Sequence, residues 1–108
     1  MVVSKLLIAV VHDLDADQVI SALEEEGHRV TRISSIGGYL RMDNSTLLIG
    51  VEDESMAGVL ATLERECSSR EIELPLVLVG RLKDSLPQTI RHGGATVFVA
   101  DLERIVRI

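Results

Sequence analysis

The chain of 108 residues has no tryptophan, one tyrosine, one phenylalanine, one cysteine and two prolines. With aromatics at 2%, the interior has to be assembled from Val, Ile, Leu and Ala, and an aromatic on the surface would stand out. The lone Cys67 excludes an intrachain disulfide and makes a reducing compartment the default. Positive charge is also scarce: 11 Lys and Arg stand against 17 Asp and Glu, a net charge of -6. That balance excludes a polyanion-binding surface, because affinity for nucleic acid comes from clustered cations that neutralise many phosphates. A small phosphorylated ligand remains possible, since a few local arginines suffice for it.

Long apolar runs are missing as well. The opening "MVVSKLLIAVVH" is too short and too β-branched for a membrane span and carries no small-residue cleavage site. It reads as the first strand of a cytoplasmic protein. What is present is an ordinary globular balance, with 46% hydrophobic and 26% charged residues, enough for one domain over residues 1–108. A mean hydropathy of +0.27 in so short a chain points to apolar surface buried between subunits, and so to an oligomer.

Periodicity divides the chain into elements. "KLLIAVV", Lys5 to Val11, has the continuous apolar character of a central strand. "HDLDADQVISALEEEGH" changes to helical spacing at Leu14, Val19, Ile20 and Leu23, with Asp13 or Asp15 as cap, Asp17 in the first turn and Gly27 as the stop. "RVTRISSI" alternates with one polar face and reads as a strand, as does "STLLIGV". "EDESMAGVLATLERECSS" is a second helix, with Val59, Leu60, Leu63 and Cys67 on its buried stripe. "LPLVLVG" and "GATVFVA" are two further strands, separated by "RLKDSLPQTIRHG", a polar loop or lid without clear period. The order predicts an α+β, ferredoxin-like βαββαβ sandwich, an antiparallel sheet with two helices on one face. Neighbouring subunits would cover the other face.

No catalytic constellation emerges. His12, His28 and His92 lie on three different segments, Cys67 sits where a small apolar residue belongs, and no pair has metal-ligand spacing. The acidic runs Glu24–Glu26 and Glu52–Glu54 read as a solvated helix end and a helix start.

"IGGYLRMDNST" is of another kind. Paired glycines let backbone N–H groups approach a ligand, Tyr39 offers a flat surface for stacking, and Asn44 has both donor and acceptor edges. Arg29, Arg32 and Arg41 flank it, and a guanidinium suits phosphate. The same residues are equally consistent with a plain hairpin loop whose arginines are solvated. "HGGATVFV" again places paired glycines, Gly93 and Gly94, ahead of a strand bearing Phe98, read either as a bulge before a core strand or as an aromatic brought beside the first cluster.

Together "RVT", "GGYLR", "NSTLLIGV", "CSSRE" and "GGATVFV" resemble the PII-like family that contains the cyclic di-AMP receptor proteins, over most of the chain. The resemblance implies a PII-like homotrimer that binds cyclic di-AMP in clefts between subunits, without cofactor or catalysis, and signals by loop rearrangement to an unidentified downstream protein. Carried over by position, it implies ligand contacts at Arg29, Thr31, Gly38, Tyr39, Leu40, Asn44, Gly50 and Phe98. Arg29 and Thr31 would hold phosphate, Asn44 and the Gly50 backbone would read an adenine edge, and Tyr39, Leu40 and Phe98 would wall the base. Tyr39 stands where the family usually has phenylalanine and Gly27 where it has asparagine, and Arg107 in the tail is a further candidate. Two alternatives are a PII-like trimer for ATP, ADP or another small effector, and a ligand-free assembly trimer.

Overall fold

The computed structural model describes residues 3–33, 44–67 and 94–108, together with the backbone of 88–92. The elements run β1 (Lys5–His12), α1 (Asp13–Glu25), β2 (Val30–Ile33), β3 (Asn44–Val51), a 3-10 turn (Asp53–Ser55), α2 (Met56–Glu66), β4 (Gln88–His92) and β5 (Ala95–Asp101). They build a sheet in the order β2-β3-β1-β5-β4, antiparallel at every pairing. Without β4 at its edge, the order is that of the expected ferredoxin-like sandwich. The segment read as the strand "LPLVLVG" lies outside the described residues.

β1 is central, as its uniform apolar run requires, and the run serves two faces. Leu7, Ala9 and Val11 join Leu47, Ile49, Val97, Val99 and the buried sides of both helices in the main core. Leu6, Ile8 and Val10 point the other way, into a smaller cluster with Phe98 and Leu48. Period-2 alternation does this sorting at each strand. Ile8, Val10 and Phe98 are 7%, 0% and 6% exposed in the single chain.

Three local expectations are corrected. The cap of α1 is His12, whose Nδ1 accepts from the Leu14 N–H at 3.2 Å, and Asp13 and Asp15 occupy the first turn behind it, where their charge suits the positive end of the helix. Leu14 is 75% exposed. It falls on the stripe with Gln18, Ser21 and Glu25, all solvent-facing, while Ala16, Val19 and Leu23 bury. The polar segment after Pro87 contains β4, which pairs residue for residue with β5 from Gln88↔Val99 to His92↔Ala95. A partner strand imposed extension on a sequence without period.

Helix ends follow their chemistry. Gly27 has φ +91°, and its N–H reaches the Glu24 carbonyl while the His28 N–H reaches that of Leu23, both at 3.0 Å, so the last carbonyls of α1 are satisfied by a left-handed cap. That conformation is open to glycine and, at some cost, to asparagine. In α2, Val59, Leu60 and Leu63 bury together with Cys67 just beyond it, as expected. The stripe also contains Thr62, 2% exposed, whose hydroxyl donates to the Gly58 carbonyl or the Glu26 carboxylate, with Oε1 at 2.6 Å.

Candidate functional site

Strand alternation places the described candidates on one side of the sheet. Across the face turned away from the helices, Thr31, Leu48, Ile8 and Phe98 lie in register on four neighbouring strands. Leu6 and Gly50 form the next pair toward one end, and His12 and Asn44 the pair at the other. Arg29 immediately precedes β2 and shares Thr31's parity. Gly38, Tyr39, Leu40 and Arg41 lie outside the described residues.

The register also separates residues expected to act together. Asn44 and Gly50 stand at opposite ends of β3, six residues apart and therefore about 20 Å. One chain cannot bring both to a single adenine. β5 neighbours β1 and β4 and does not touch the β2–β3 pair, which sets Phe98 about 14 Å from Thr31, three strand spacings away. Phe98 is packed against Ile8 and Val10, and Asn44 is 6% exposed.

Arg29 and Gly50 do meet. They line a cleft of about 290 Å³ with His28, Glu26 and Glu52, closed on one side by Val3. Val3 packs on the Gly50 backbone so closely that a Cβ at Gly50 would lie 3.1 Å from Val3 Cγ1. Beyond Val3 lies a larger cleft, about 580 Å³, between Ser4 and the tail residues Arg104, Ile105 and Arg107. Val3 thus lines both the cleft with Arg29 and the cleft with Arg107. Nothing in the residue pattern marks Val3; its role comes from the pairing that carries Ser4 N–H to the Val51 carbonyl at 3.0 Å.

Arg32 in the second strand and Arg29 just before it are electrostatically unlike. Arg32 lies on the helix side, opposite Leu47, and its guanidinium donates to Asp17 at 2.8 Å and to Ser45 Oγ at 3.0 and 3.2 Å, with Asp13 at 3.7 Å. Ser45 in turn donates to Asp13. Arg32 is thus removed from the phosphate-binding candidates. Arg29 makes no ion pair or side-chain hydrogen bond among the described residues and is exposed. A cation left unneutralised beside a cleft remains available to an anion.

Glu26 is fixed from the side of α2. Thr62 Oγ1 lies 2.6 and 2.9 Å from its two oxygens and can donate its one proton to the nearer, and Arg65 approaches at 3.3 Å. The Thr62 hydrogen bond, followed by the Arg65 contact, holds the Glu26 carboxyl below the ordinary carboxylate range. No group of three or more ligating side chains that could hold a metal occurs among the described residues, and no described helix is long and apolar enough to cross a membrane.

A solved protein from Pediococcus pentosaceus ATCC 25745, described as functionally unknown, is 30% identical, with the match covering 100% of both chains at a TM-score of 0.68. A family model described as cyclic-di-AMP receptor matches residues 4–108. A match that takes in the second strand, the paired glycines of residues 37–38, the third strand and the late strand bearing Phe98 leaves one conclusion: this chain belongs to the cyclic-di-AMP receptor family.

Proposed function

We propose that the protein is a cytoplasmic, non-enzymatic receptor that binds cyclic di-AMP between the subunits of a PII-like homotrimer. The observation that carries this reading is the sorting of Thr31, Asn44, Gly50 and Phe98 onto one face of the sheet, with Arg29 beside Gly50 in one cleft, while Arg32 on the other face is neutralised by Asp13 and Asp17. On one chain these groups are spread along and across a surface. A second chain laid over that face can set the Asn44 end of one subunit against the Arg29 end of another, so that phosphate-holding and base-reading groups converge in one crevice. Arg29 and Thr31 then hold a phosphate, Asn44 and the Gly50 backbone read base edges, and Gly38, Tyr39, Leu40 and Phe98 complete the walls. Ligand binding reorders the connecting loops and so reaches a downstream protein.

Isothermal titration of the purified chain with cyclic di-AMP, alongside sedimentation analysis, tests the reading. Saturable binding at one ligand per subunit by a trimer is expected. A monomer, or absent binding by calorimetry and by an orthogonal assay, would falsify it.

A further inference from the structure

The Arg29 cleft is lined by one guanidinium and two glutamates, Glu26 and Glu52, and of these Glu26 is already ion-paired with Arg65 at 3.3 Å. Glu26 is held ionised and in place by Thr62 and Arg65. Glu52 makes no side-chain hydrogen bond or ion pair among the described residues. A site built to hold a polyphosphate would gather cations and backbone N–H donors; this one sets carboxylates beside its one arginine.

We propose that Glu52 is a charge filter that admits a phosphodiester beside Arg29 and repels a terminal phosphate. A diester carries one negative charge, which Arg29 can balance. A phosphomonoester carries about -1.5 to -2 near neutral pH, and its surplus charge is repelled by Glu52 in the same cleft. Specificity through a repulsive element is a general device where attraction alone would accept several ligands. The filter separates a cyclic dinucleotide from its linear, 5′-phosphorylated hydrolysis product and from ADP or ATP. It rests on the nucleotide-binding reading of the same cleft.

The test is titration of wild-type protein, Glu52→Gln and Glu52→Lys with cyclic di-AMP, linear 5′-phosphodiadenylate and ADP at low ionic strength. The Glu52→Gln change should leave cyclic di-AMP affinity within about threefold and raise affinity for the two phosphomonoester ligands about five- to tenfold, as removal of one like charge at a partly solvated site allows. Glu52→Lys should raise it further, and added salt should shrink the gain. An unchanged ratio of linear to cyclic affinity in both variants overturns the filter and leaves the receptor reading standing. Wild-type protein that binds no cyclic di-AMP removes both.

Discussion

Arg29 and Arg32 lie three positions apart at one short strand and face opposite ways: Arg32 is neutralised by Asp13, Asp17 and Ser45 against α1, and Arg29 stands unpaired among the described residues beside the Gly50 cleft. The three-residue spacing inverts the face, because strand side chains alternate. Their alanine variants should therefore separate binding from stability. Arg29→Ala should melt like wild type and lose about ten- to a hundredfold in cyclic di-AMP affinity, the range of one charge-assisted hydrogen bond. Arg32→Ala should bind normally and lose about 1 kcal/mol of stability, since Ser45, 2% exposed, loses a partner. Calorimetric titration and chemical denaturation read the two effects.

Gly27 at φ +91° makes a second case. Gly27→Ala should destabilise by about 1 kcal/mol, because a Cβ is strained in the left-handed region, and Gly27→Asn should cost less. No side chain stands in the way, as nothing lies within 4 Å of the Cβ position. Equal losses for Ala and Asn in urea denaturation would show that the backbone conformation is not the cause.

Gly50 presents the opposite problem, one of space. Gly50→Ala places a methyl 3.1 Å from Val3 Cγ1 and should cost about 1 kcal/mol, since Val3 must shift to make room. Adding Val3→Ala should recover most of that loss beyond its own effect, giving a favourable coupling in a double-mutant cycle. Additive losses would mean that Val3 is not the obstacle.

Glu26 provides a pH signature. Its carboxyl is lowered in the folded state from the ordinary value of 4.5, first by the Thr62 hydroxyl. A depressed folded value contributes stability that is present above the unfolded value and is lost as pH falls through the folded one. Stability should therefore decline on acidification below about pH 4.5, and Thr62→Val should flatten that decline. Identical slopes for the two proteins between neutral pH and pH 3, measured by thermal melts across the range, would contradict the assignment.

Much of this molecule was legible from residue order. Apolar periodicity located β1, both helices, β3 and β5, because burying one face forces the pattern onto the chain. The left-handed cap at Gly27 was legible for the same kind of reason, since few residues adopt its backbone conformation. β4 was hidden, because an edge strand next to β5 gets its extension from pairing and needs no apolar alternation of its own. Leu14 misled, because hydrophobicity at one helical position does not say which way that position faces.

The candidate site divides along the same line. Which residue types can hold a phosphate or read a base follows from their chemistry, and that much is written in the order of residues. That Arg29 faces an open cleft while Arg32 is neutralised, that Asn44 and Gly50 stand at opposite ends of β3, and that Val3 closes over Gly50 were decided only by tertiary structure. Strand register and the face each residue takes depend on partners far away in the chain, and residue order alone does not specify those pairings.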